Sequence, residues 1–265
     1  MRLPSLLRKL PVRIGLLAVL AGSALAVVVP TATALAAPDG CANDLKCVIA
    51  FGDARIAERL SALTILGNKV TNQLNAGHIT TTQADYLQGD ATTNKNGLTS
   101  LKTTLDGETD VTAARNDVKN IYLQFRIYGV VLPRDYRVLW TDLLTTADQK
   151  LRALQPKIES AIAGAPASEQ AQLNTLYSDY KAQLQEAESQ IDAAQGQVGT
   201  LTVSNFNNDH TVFQTALNDM KTDIQTANRD IHQAANDLNQ IVHILKSNSG
   251  GTSTATPAPT ATSAA

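Results

Sequence analysis

The chain has 265 residues, with 22 basic and 24 acidic side chains, 43% apolar residues and only 4% aromatic ones. That faintly acidic balance makes nucleic acid a poor partner, because phosphate binding needs a basic surface. Two cysteines and four histidines leave little material for a metal centre, since zinc takes four ligands gathered at bonding distance.

The N-terminus reads as an export signal over residues 1–36. Arg2, Arg8, Lys9 and Arg13 precede an apolar run over 14–29, and "TATALAAPDG" follows Pro30. Ala34 and Ala36 are the small residues that signal peptidase accepts, which places the cut after Ala36. The run falls short of the roughly twenty apolar residues of a membrane span, and no second such stretch follows. Pro38, Asp39 and Gly40 do not fit a lipoprotein signal at Cys41. The mature chain is therefore expected outside the cytoplasm, secreted or in the cell envelope. Losing the four basic residues of the signal leaves it more acidic still.

Export permits a disulfide, and residues 37–50 read as an N-terminal loop in which Cys41 and Cys47 of "CANDLKC" pair. Six positions turn a helix by about 240°, so the bond has to clip non-helical chain. Closing so short a loop is worth about 2 kcal/mol by chain entropy.

Over residues 51–246 the apolar positions step by three and four, the helical period carried in heptads. The first seam is Ile56, Leu60, Leu63, Gly67, Val70 and Leu74, stopped by "NAGH" with Gly77 as a left-handed terminator. The second opens at "TTTQ", where Thr80 and Gln83 form a capping box, and runs Ala84, Leu87, Ala91, Asn94, Leu98, Leu101, Leu105. A third runs Ala114, Val118, Ile121, Phe125, Tyr128, Leu132 up to Pro133, where a break is expected. The fourth runs Trp140, Leu144, Ala147, Leu151, Leu154 and Ile158, with a kink or break at Pro156. The fifth is Leu173, Leu176, Tyr180, Leu184, Ala187, Ile191, Ala194 and Val198. The sixth is Phe213, Leu217, Met220, Ile224, Ala227, Ile231, Ala234, Leu238, Ile241 and Leu245. Short turns make neighbouring helices antiparallel. The predicted fold is all-α, an elongated antiparallel bundle of about six helices with heptad-like seams. The chain is read as a monomer, although heptad seams serve intermolecular coiled coils equally well. Residues 247–265, rich in Ser, Thr, Pro and Ala, read as a flexible tail or glycosylated stalk.

His232 and His243 share a helix face but stand about 16 Å apart in rise, so they cannot hold one zinc ion. The sequence holds no H-E-x-x-H, no phosphate-cradling glycine loop and no nucleophile elbow. Asp219 and Asp223 flank the sixth seam and read as a solvated face. A non-enzymatic protein with no cofactor and no metal is expected, acting through contacts with a protein partner.

The most distinctive segment is "IYLQFRIYGVVLPRDYRVLW", residues 121–140. The residue before a proline avoids helical geometry, so Pro133 predicts a junction filled by Phe125 and Tyr128. Arg134, Tyr136, Arg137 and Trp140 are the candidate partner patch, because Trp, Tyr and Arg dominate binding hot spots.

"FRIYGVVLP", residues 125–133, resembles the aromatic-Arg-Val/Ile-Tyr-x-x-x-Leu-Pro segment of uncharacterised secreted helical-bundle proteins of bacteria. That resemblance implies a helical fold and export, and no activity. "ITTTQ", residues 79–83, resembles the L-T-x-x-Q motif of small periplasmic helical chaperones and metal-stress sensors, which makes an extracytoplasmic chaperone or stress sensor the alternative function. The capping box explains the same five residues without it.

Overall fold

The computed structural model describes Cys41 and residues 43–249. The expected signal, the cleavage site and the tail from residue 250 lie outside the described residues. Among these there are eight α-helices and no strand: α1 (Leu45–Asn75), α2 (Thr81–Asp106), α3 (Val111–Leu123), α4 (Leu132–Arg152), α5 (Gln155–Ala163), α6 (Ala167–Gln197), α7 (Val203–Asn208) and α8 (His210–Ser249). The protein is an all-α bundle. The six seams fall on α1, α2, the α3 region, α4 with α5, α6 and α8, while the short α7 has no counterpart in the sequence reading. At 1.5 Å per residue α8 alone is about 60 Å long.

Local chemistry sets the helix ends. Asp44 caps α1 by accepting from the N–H groups of Lys46 and Cys47, which leaves Cys47 in the first turn and Cys41 ahead of it. The two are joined as a disulfide with Cα atoms 5.3 Å apart. The bond therefore ties the chain before α1 to its first turn. Residues 45–50, read from the sequence as loop, belong to the bundle because the Asp44 cap starts the helix there. At the far end, α8 continues to Ser249, slightly past the expected boundary at 246.

Gly77 takes a φ of +66° and ends the α1 turn as expected. Thr80 and Gln83 form the capping box of α2, with Thr80 N–H donating to Gln83 Oε1 at 2.8 Å. Thr80→Ala should lower stability by about 1 kcal/mol, measurable as a shifted urea midpoint. At Pro156 the helix does break: α4 stops at Arg152, α5 starts at Gln155, and the proline sits in the first turn, where its missing N–H has no helical partner to lose.

The junction before α4 differs from the expectation. The break lies at residues 124–126, ahead of the proline, and a π-helical turn at Ile127–Val131 then leads straight into α4. Leu132, directly before Pro133, is helical (φ −63°, ψ −47°). In that turn the Leu132 N–H donates to the Ile127 carbonyl, five residues back. Such widening loosens the backbone where a proline ring would otherwise crowd the carbonyl four residues earlier.

Packing divides the helices into two groups. One is α1, α2 and α3; the other is α6 paired along its length with α8, with α4 laid on both. Helix α4 also contacts α1 and α2, and so joins the groups. Every residue of the sixth seam, from Phe213 to Leu245, is buried on α8. On α1 the buried stripe is Val48, Gly52, Ile56, Arg59, Leu63, Leu66 and Val70, whereas Leu60, Gly67 and Leu74 of the expected seam are half-buried on its shoulder. Among the described residues no helix is long and apolar enough to cross a membrane.

Candidate functional site at the Pro133 junction and the seam between α2 and α4

Arg126 is, among the described residues, the non-glycine residue with positive φ (47°, with ψ 39°). A left-handed arginine costs of order 1–3 kcal/mol and persists only where its surroundings hold it. Helix α7 supplies that hold. Arg126 Nε donates to Asn207 Oδ1 at 2.9 Å, and its guanidinium lies 4.7 Å from the centre of the Phe206 ring. Asn207 Nδ2 donates in turn to the Leu123 carbonyl at 3.0 Å. Gly129 lets Phe206 close in: a Cβ there would stand 3.3 Å from the Phe206 ring. Phe206 packs edge-on against the buried Phe213 of α8, so α7 fastens the junction to the longest helix.

Beneath the junction, Phe125 is buried and the Arg59 guanidinium lies 4.5 Å from the Tyr122 ring and 5.2 Å from the Tyr128 ring. Arg59 is 5% exposed, and burial pulls its pKa below the usual arginine value. Two aromatic faces stand in for part of the lost water. Tyr128, half-buried, also donates through its hydroxyl to the Glu58 carbonyl at 3.3 Å.

A polar ladder joins α2 to α4. Gln83 Nε2 donates to Asp142 Oδ1 at 3.0 Å while its Oε1 serves the cap, so one side chain does both tasks. Seven residues further along α2, Asp90 pairs with Arg134, whose Nε also donates to Asp135 Oδ1 at 2.8 Å. Asp135 precedes Asp142 by seven, so the rungs follow one antiparallel register. Asn94, the polar member of the second seam, braces Asp90 by donating to its Oδ2 at 3.1 Å. Beyond Asp142, Lys150 Nζ donates to the Gly77 carbonyl at 2.7 Å and pins the turn between α1 and α2.

This ladder is short of positive charge. Asp135 is 0% exposed and its Oδ2 has no hydrogen-bond partner. Burial raises its pKa to about 7, with the Asp90 carboxylate adding to the rise and Arg134 opposing it. Burial likewise raises Asp142 to about 7, opposed only by the Gln83 amide.

The four residues of the candidate patch part company. Arg134 is taken up by Asp90 and Asp135. Arg137 donates through Nη1 to the Pro133 carbonyl at 2.9 Å, and its Nε is buried without a partner. Tyr136 and Trp140, one turn apart on α4, are half-buried against the core. Lys69 of α1 lies over Tyr136, with Nζ 5.2 Å from the ring centre. One turn before it on the same face stands Ile65, 59% exposed. Apolar periodicity could not find Ile65, because it lies off the buried stripe.

Two other buried acids sit in ion pairs. Asp148 pairs with Arg152, which also reaches Glu188 of α6, and Asp230 pairs with Arg229. Among the described residues no group of three or more His, Cys, Asp or Glu is arranged to hold a metal ion. No protein-family model matches the chain, and comparison with curated proteins and with solved structures found no match.

Proposed function

We propose that this is an extracytoplasmic, non-enzymatic helical protein that works by binding a protein partner, through a surface made by Ile65 and Lys69 of α1 with Tyr136 and Trp140 of α4. The carrying observation is the 59% exposure of Ile65, one turn from a lysine that covers a tyrosine of the adjoining helix. An exposed large apolar side chain on α1, linked through Lys69 to Tyr136, with Trp140 one turn along α4, has the composition of a binding hot spot. The disulfide at the start of α1 supports a location in an oxidising compartment. Secretion after cleavage near Ala36 rests on the sequence.

The test compares wild type with Ile65→Asp as baits on a native cell-envelope fraction, with Val212→Asp on α8, 46% exposed, as the control surface. Both substitutions should leave stability within about 0.5 kcal/mol. A defined partner bound by wild type and Val212→Asp and lost by Ile65→Asp is the expected result. Identical capture by all three baits, or by none, would overturn the proposal.

A further inference from the structure

The seam between α2 and α4 brings together three carboxyls, Asp90, Asp135 and Asp142, and one guanidinium, Arg134. The groups facing Asp135 are Arg134 of its own helix and Asp90 of α2, with Tyr86 of α2 beside them. Asp142 faces Gln83, again with Tyr86 near. On the other helices packed on α4, Lys69 of α1 lies over Tyr136, Asp230 of α8 pairs with Arg229, and Glu188 of α6 pairs with Arg152. Arg137 of α4 is held by the Pro133 carbonyl. With all three carboxyls ionised, the closed seam holds a surplus of buried negative charge, which is costly without partners.

We infer that this seam is a proton-operated latch between the α1–α3 group and the α4–α8 group, closed when Asp135 and Asp142 carry protons and loosened when they lose them. Helix α4 carries the second group's contacts to α1 and α2, so separating it from α2 hydrates both acids at once. Hydrated carboxyls titrate near 4, whereas the closed seam holds these two at about 7. Between those limits the closed form carries protons that the open form lacks. Closure is therefore fully supported below pH about 4, weakens as the pH rises to about 7, and changes little beyond. The open-to-closed ratio should rise about tenfold per pH unit for each carboxyl across that window.

Because the described residues contain no free cysteine, nitroxides can be placed at Thr92→Cys on α2 and Asn239→Cys on α8, both exposed positions, in the full chain. Pulsed electron resonance should give one narrow distance distribution at pH 4.5 and a broader or longer one at pH 8. Asp142→Asn keeps an acceptor for Gln83 and should shrink the change; adding Asp135→Asn should abolish it, while Asp148→Asn on the same helix should leave it intact. Superimposable wild-type distributions at the two pH values would overturn the latch whatever the variants do. So would an undiminished change in Asp142→Asn.

Discussion

Phe125→Ala should destabilise the protein by about 3–5 kcal/mol, read as a lower urea midpoint with the slope unchanged. Phe125 belongs to the non-helical link between α3 and the π turn, yet its ring is buried against α2. A methyl group at Gly97 would stand 2.5 Å from the Phe125 ring carbon Cε1 and 3.0 Å from Cζ, so ring and glycine are fitted to each other. Two opposed terms follow for Gly97→Ala. Overpacking a core contact costs about 1–3 kcal/mol, while alanine in place of a helical glycine gains up to about 1 kcal/mol. In the wild-type background the first should win. Once Phe125 is reduced to alanine the obstruction is gone, and Gly97→Ala should turn stabilising by about 0.5–1 kcal/mol. A double-mutant cycle should therefore show a change of sign. An equal cost for Gly97→Ala in both backgrounds would mean that the ring is held by something other than this contact.

How far the fold was legible depended on which forces acted locally. The α8 seam was readable in full because a long amphipathic helix exposes its period directly. The Thr80 cap and the Gly77 stop were readable for the same reason, as each involves residues within four positions. The break before α4 was not. Pro133 signalled it, but its position was set at Arg126 by Phe206 and Asn207 of α7, far along the chain. No local rule foresees a left-handed arginine. The polar ladder was not read from the sequence, although Gln83 and Asp90, like Asp135 and Asp142, stand seven apart in it. That α2 meets α4 across the intervening α3 was a matter of tertiary packing. Arg134 reads as a surface cation only until Asp90 and Asp135 are known to face it.

Leu66→Ala should cost about 2–5 kcal/mol, whereas Leu60→Ala should cost much less, and these two substitutions separate the apolar pattern of α1 from its actual packing. The pattern places Leu60 in the seam and leaves Leu66 out. In the structure Leu66 is 0% exposed and Leu60 is half-buried, because the buried stripe steps through Arg59 and Leu66. An arginine at a core position misleads any reading based on apolarity. Here it is admitted by the rings of Tyr122 and Tyr128, which arrive from α3 and the π turn, and its Nη1 donates to the Arg55 carbonyl at 2.8 Å. Once Arg59 faces inward, the position seven residues later does too, and Leu60 rotates to the shoulder. Urea denaturation of the two alanine variants measures the difference. Equal losses would mean that both leucines lie in the core and that Arg59 does not set the stripe. A near-zero loss for Leu66→Ala would move the contact between α1 and its neighbours onto the seam that the apolar residues alone suggest.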